Sequence, residues 1–198
     1  VNRAWPLALA YVAIAIALLA ARPSPTPGPP LRDFEAYWSA GAAWNAHADP
    51  YSKAIWQAER TVPGVDAHRD ELLPFINPPP SLMLWSAFAR LPYRAAAALW
   101  LISLAGALFA LIATVLRASG APLSAPLFCA AIALAIAFGP ITSDLALGQL
   151  ALPAFLGATL LVVLADRSVP MAAAAATLAL TAPNVALGLA SQFDRMRA

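Results

Sequence analysis

Charge is segregated along this chain of 198 residues. Seven of its ten Asp and Glu residues and both histidines, His47 and His68, fall between Arg22 and Ser81, and long stretches outside that window are almost free of charge. Ionisable groups are expensive inside a bilayer, so a polar window between apolar runs has to lie outside the lipid that those runs enter. The runs are apolar enough for this: 61% of residues are hydrophobic and mean hydropathy is +0.70, the composition of an integral membrane protein. A net charge of +2 with no run of Lys or Arg offers nothing for nucleic acid to bind. Cys129 is the single cysteine and sits in an apolar stretch, which excludes an intrachain disulfide and a cysteine-based metal site.

Crossing a bilayer as a helix takes roughly 20 apolar residues. Five stretches approach that length: Trp5–Ala21, Ala95–Leu116, Leu123–Ile141, Leu150–Ala165 and Met171–Ala190. The expected fold class is therefore all-α, a polytopic membrane protein with about five transmembrane helices. Prolines at 126, 140, 153 and 183 are tolerable in such helices, and Gly139-Pro140 interrupts the third. Leu82–Leu91 is too short to cross. Trp85, Arg90 and Arg94 suit an interfacial helix, with the ring at headgroup depth and the arginine stems snorkelling; a short tilted span is the alternative.

Lys and Arg collect in cytoplasmic loops, and an internal N-terminus puts Arg3, Arg117 and Arg167 there. The 22–94 region and the Asp144–Gln149 loop are then external. Leu19-Ala20-Ala21 would suit signal-peptide cleavage, but four further spans favour an uncleaved first helix. Residues 1–198 thus read as a single multi-pass domain of the inner (plasma) membrane, in contact with membrane lipids. The 22–94 segment is an extracytoplasmic loop with interfacial helices, and 95–190 is a transmembrane bundle.

The external segment opens on Pro23-Ser24-Pro25-Thr26-Pro27-Gly28-Pro29-Pro30, a stiff polyproline-like spacer. A helix is predicted next, to about Ala46, with Phe34, Tyr37, Trp38, Gly41 and Trp44 on one face. That aromatic stripe fits a helix half sunk in headgroups; a helix packed on protein has the same pattern. Asp33 in this reading caps the helix starting at Phe34. Asp49-Pro50 is a turn starting a second short helix up to about Arg60, and Thr61–Asp70 is a mobile loop. Prolines 78 to 80 suit the first turn of the helix that returns the chain to the membrane. No GxGxxG, Walker loop, HExxH or GxSxG occurs.

Taken in order, Asp33-Phe34-x-x-Tyr37-Trp38, Asp49-Pro50-Tyr51, Phe75-x-x-Pro78-Pro79, Leu91-Pro92 with Leu99-Trp100, and Gly148-Gln149-Leu150 resemble the family-87 glycosyltransferases. These are bacterial membrane enzymes of the GT-C superfamily, including mannosyltransferases with a polyprenyl-phosphate-mannose donor. The resemblance runs from about Asp33 to Ala190. It implies a GT-C-like fold and transfer of a hexose, mannose first, from a polyprenyl-phosphate sugar donor to a lipid or glycan acceptor with inversion. It implies no cofactor and no metal.

In that superfamily an acidic residue of the first external loop is the catalytic base, and Asp33 occupies the matching place. A direct displacement at the sugar carbon needs a base for the acceptor hydroxyl, while the phosphate already leaves well. Glu35 is a rival base off the aromatic face, and Asp144 is either a second acidic site residue or a loop charge. Substrate-binding candidates are Tyr37, one helical turn from Asp33, with Arg32, Asp49, Tyr51, Asn77 and Gln149. Lys53, Arg60, Arg69 and the two histidines are further external groups able to meet a donor phosphate. The family's usual length is about twice this one, and Ala182-Pro183 stands where a Lys-Pro pair is usual. Two expectations follow: a chain incomplete at its C-terminus that pairs with the missing half or another membrane subunit, and, as the alternative function, a non-catalytic scaffold or truncated paralogue.

Overall fold

The computed structural model describes residues 31–65, 73–165 and 167–182. The predicted first span, the proline-rich spacer, the second half of the predicted loop with His68 and Arg69, and the end of the last predicted span lie outside the described residues. Secondary structure among the described residues is entirely helical, as the composition predicts. Two compact units divide the chain: Ala20–Ser103 with Leu145–Gln149, and Leu104–Asp144 with the 1–19 and 150–198 segments.

The first unit is built on α1 (Arg32–Asn45), which begins two residues earlier than predicted. Leu31 adopts a left-handed conformation, φ 61° and ψ 56°, and no side chain caps the helix. Asp33 is consequently a first-turn residue and not the cap. A short helix, α2 (Ala54–Glu59), starts four residues after Pro50, because the Ser52 hydroxyl and carbonyl first take up the Ala54 and Ile55 N–H groups in a turn. Pro78 is extended, and a 3₁₀ turn over Pro79–Ser81 leads into α3 (Leu82–Phe88). At about 1.5 Å per residue, α3 is roughly 10 Å long, far short of a bilayer.

The aromatic stripe faces protein. Phe34 is fully buried, stacked on Trp100 with ring centroids 6.0 Å apart and edge-on to Trp85 and Phe88. Tyr37 stacks on Trp85 at 4.7 Å, and the Trp38 ring meets Tyr93 edge-on. Gly41 lies against the Trp85 backbone so closely that any Cβ there would overlap the Trp85 carbonyl. Of the stripe, Trp44 remains outside, 52% exposed. Trp85, expected at headgroup depth, is instead wholly buried at the centre of this cluster. Offset and edge-on ring pairs contribute about 0.5–1.5 kcal/mol each beyond area burial, which favours this packing over a membrane-facing stripe.

α4 (Tyr93–Ala118) has 26 residues, about 39 Å of helix, and matches the predicted Ala95–Leu116 stretch with two extra residues at each end. Only 17% of its most apolar stretch is buried, so its surface is apolar and open, and it is long and apolar enough to cross a membrane. α5 (Ala125–Ala137) and α6 (Gly139–Leu147) together make a second candidate, bent by 79°. The bend answers the Gly139-Pro140 interruption: Phe138 turns extended, with φ −82° and ψ 113°, and Pro140 has no N–H to continue the ladder. Thr142 Oγ1 recovers part of that loss by donating to the Ile136 carbonyl at 2.5 Å.

α7 (Ala151–Leu164) and α8 (Val169–Ala179) are apolar helices of 14 and 11 residues, shorter than a straight crossing. They pack closely in the second unit, where a Cβ on Gly157 would stand 2.5 Å from Ala179 N and 2.7 Å from Ala175 O. The described residues thus hold one membrane-length helix, or two with the bent pair.

Candidate active site

Asp33 does not stand alone. Its Oδ2 accepts a hydrogen bond from Gln149 Nε2 at 2.7 Å, across 116 residues of sequence. Both side chains are half-buried. The bond takes one carboxylate oxygen and leaves the other for a further partner.

Three residues hold that pair in register. Gly148 has φ +75°, and a Cβ on it would meet Phe34 Cβ at 3.0 Å and Leu31 Cβ at 3.1 Å. Only glycine combines that backbone with that approach to the start of α1. The Gly148 carbonyl accepts from buried Trp100 Nε1 at 2.8 Å, and Trp100 in turn stacks on Phe34. One carboxylate, one amide and one indole therefore bring three of the quoted segments together: Asp33-Phe34, Leu99-Trp100 and Gly148-Gln149. The positioning roles of Trp100 and Gly148 escaped the sequence reading, although both residues lie inside motifs it quoted.

The other site candidates fall in two groups. Arg32 adjoins Asp33 on the chain, and its Nε is buried with no hydrogen-bond partner among the described residues. Tyr37 lies one turn along α1, between Trp85 and the edge of Phe75. Farther along, Tyr51 packs on Phe75 at 5.3 Å and donates its hydroxyl proton to the Asn77 carbonyl at 2.8 Å. Asp49 makes the predicted turn: Oδ1 accepts the Tyr51 N–H at 2.9 Å, and its carbonyl accepts from Ser52 Oγ. Burial first, and the Asp49 carboxylate second, push the Tyr51 phenol above its ordinary range. Asn77 Nδ2 is buried with no partner among the described residues. The rings of Tyr51, Phe75, Tyr37 and Trp85 form a continuous row, so the two groups share one aromatic core.

Two acidic rivals take other places. Glu35 is wholly buried on α1, so an incoming hydroxyl cannot reach it as it could Asp33. Asp144 lies on α6 and not in a loop. It is 2% exposed, and its two oxygens accept the Ala151 and Leu152 N–H groups at 3.0 and 3.2 Å, which caps α7. Of the other cations named for the donor phosphate, Lys53 sits over the Trp56 ring at 5.4 Å, and Arg60 is exposed.

A groove of about 410 Å³ runs along the first turns of α4, lined by Leu31, Pro63, Tyr93, Arg94, Ala97, Ala98 and Leu101. Leu31 immediately precedes Arg32 and Asp33, so the groove reaches the start of α1. Its floor is apolar, with one cation, Arg94, on its wall. The arrangement offers a carboxylate held by one hydrogen bond, a buried guanidinium nitrogen on the preceding residue and an apolar groove at the start of the same helix.

The family model described as Glycosyltransferase family 87 matches residues 75–193. No curated protein and no solved structure matches the chain.

Proposed function

Because this chain belongs to glycosyltransferase family 87, whose model covers more than half of it, we propose that it transfers a hexose, mannose first, from a polyprenyl-phosphate donor to a lipid or glycan acceptor. The observation that carries this reading is the Asp33–Gln149 pair at 2.7 Å, held by Gly148 and Trp100. Gln149 fixes the carboxylate by donating to Oδ2, and Oδ1 receives the proton of the acceptor hydroxyl. The acceptor oxygen forms its bond to the anomeric carbon as the bond from that carbon to the phosphate oxygen breaks. The bonding pair leaves with the lipid phosphate, and one displacement inverts the carbon.

The groove along α4 is suited to a prenyl chain, with Arg94 and the free Nε of Arg32 as donors for its phosphate. Tyr37, Asp49, Tyr51 and Asn77 complete the proposed substrate-binding set. In the same reading α4 crosses the inner membrane, the bent α5–α6 pair and the two shorter apolar helices contribute further membrane segments, and α1 to α3 lie outside.

The test is transfer of radiolabelled mannose from polyprenyl-phosphate mannose in membranes expressing the chain. Asp33→Asn retains shape and the hydrogen bond to Gln149 but cannot take a proton, and should lower the rate about 100-fold to 10,000-fold at unchanged expression. Retention of most of the transfer by Asp33→Asn would remove Asp33 as the base.

A further inference from the structure

A second cleft, of about 480 Å³, lies between the C-terminal ends of α1 and α3 and shares no residue with the groove along α4. Trp44, Asn45, His47, Ala48, Ser86 and Arg90 line it. We propose that this cleft binds the phosphodiester headgroup of an anionic membrane phospholipid. The inference rests on the reading that α4 crosses the bilayer.

The lining is rich in donors and contains no carboxylate. Arg90 is exposed and makes no ion pair among the described residues. Asn45 Nδ2 donates to the Ser86 carbonyl at 2.9 Å, which leaves its second N–H, the Ser86 hydroxyl and the His47 ring to the cleft. The acid nearest in sequence, Asp49, has Oδ1 engaged in its own turn. A helix C-terminus ordinarily repels an anion, but here the Ala42, Ala43 and Trp44 carbonyls are occupied. The Ala48 N–H bonds to the Ala43 carbonyl at 2.9 Å and the His47 N–H to the Trp44 carbonyl at 3.0 Å, the hydrogen-bond pattern of a Schellman cap. His47 holds the left-handed position of that cap at φ 58°, where glycine is the usual residue.

Depth selects a lipid source for the phosphate. Arg90 stands three residues before Tyr93, where the apolar helix begins. About 39 Å of helix fills the hydrocarbon core and most of both headgroup layers, so Arg90 lies at headgroup level. Trp44, an exposed amphipathic ring on the cleft wall, and Met83, 80% exposed on α3, belong at the same level.

Native mass spectrometry of the full chain, released from nanodiscs of phosphatidylcholine with about one quarter phosphatidylglycerol, reads this directly. The chain should retain phosphatidylglycerol in preference. Arg90→Gln should weaken that preference about tenfold or more, Arg90→Lys should restore most of it, and retention of phosphatidylcholine should not change. Equal retention of both lipids, or a preference untouched by Arg90→Gln, would overturn the proposal. Displacement of the lipid by inorganic phosphate alone would overturn it too, in favour of a free-phosphate site, as would competition by a neutral oligosaccharide. Failure of the membrane reading looks different: the chain would be released from membranes by alkaline carbonate and would carry no lipid of either kind.

Discussion

Replacing Gly148 with alanine should destabilise the first unit well beyond the ordinary cost of a glycine in a turn, and Gly120 supplies the measure of that cost. Both glycines have positive φ, +75° and +72°, but a Cβ on Gly120 meets nothing within 4 Å. Gly120→Ala therefore incurs only the left-handed backbone penalty, about 1–2 kcal/mol. Gly148→Ala incurs the same penalty and also drives a methyl against Phe34 Cβ at 3.0 Å and Leu31 Cβ at 3.1 Å. Phe34 is fully buried and cannot retreat, so overpacking adds about 1–3 kcal/mol, for a total of about 2–5 kcal/mol. Any shift of the turn that relieves the contact lengthens the Trp100–Gly148 bond and carries Gln149 away from Asp33, so activity falls with stability. Denaturant midpoints of the two variants in detergent, read from the fluorescence of buried Trp85 and Trp100, give the comparison. Equal destabilisation of the two would refute the reasoning, because it would mean that the start of α1 is not seated on Gly148.

Asp144→Ala should cost about 0.5–2 kcal/mol by uncapping α7, yet leave transfer per folded molecule near wild type; thermal denaturation beside the mannose assay checks both halves. Tyr51 binds its proton more tightly in the folded state, so its contribution is intact below the ordinary phenol value of about 10 and is lost as pH rises through the higher folded value. Tyr51→Phe should accordingly flatten part of the alkaline loss of stability and remove one phenol that titrates above its ordinary range from the absorbance titration. Reporter fusions at Gly64 and Ala118 should lie on opposite sides of the membrane, with Gly64 external; the same side for both would remove α4 as a crossing helix.

The sequence made the helical architecture legible because apolar runs of the right length leave little else to form. α4 appears within two residues of its predicted ends, and the Gly139-Pro140 interruption becomes a bend. Surroundings were harder to read than elements. A stripe of aromatic residues is the same pattern whether it meets headgroups or other rings, and here Trp85, Phe88, Tyr93 and Trp100 arrive from α3 and α4 to cover it. Asp144 was misplaced for a related reason. A short polar stretch between two apolar runs suggests a loop, while the N–H groups Asp144 caps lie seven and eight residues ahead, beyond the reach of local capping patterns.

Asp33 shows how a local rule can hide a site. An acid before Phe-x-x-Tyr-Trp reads as an N-cap, and a cap would have its side chain turned back onto its own helix. The left-handed Leu31 starts α1 early, moves Asp33 into the first turn and frees its carboxylate to meet a partner. That partner lies 116 residues away, a separation to which no periodicity or turn rule is sensitive. What the sequence did hold was both ends of the contact, Asp33 in the first quoted motif and Gln149 in the last. A carboxylate released from capping and held by a distant amide serves no local structure, and on that disposition, more than on the presence of an acid near a membrane, rests the proposal that Asp33 receives a proton.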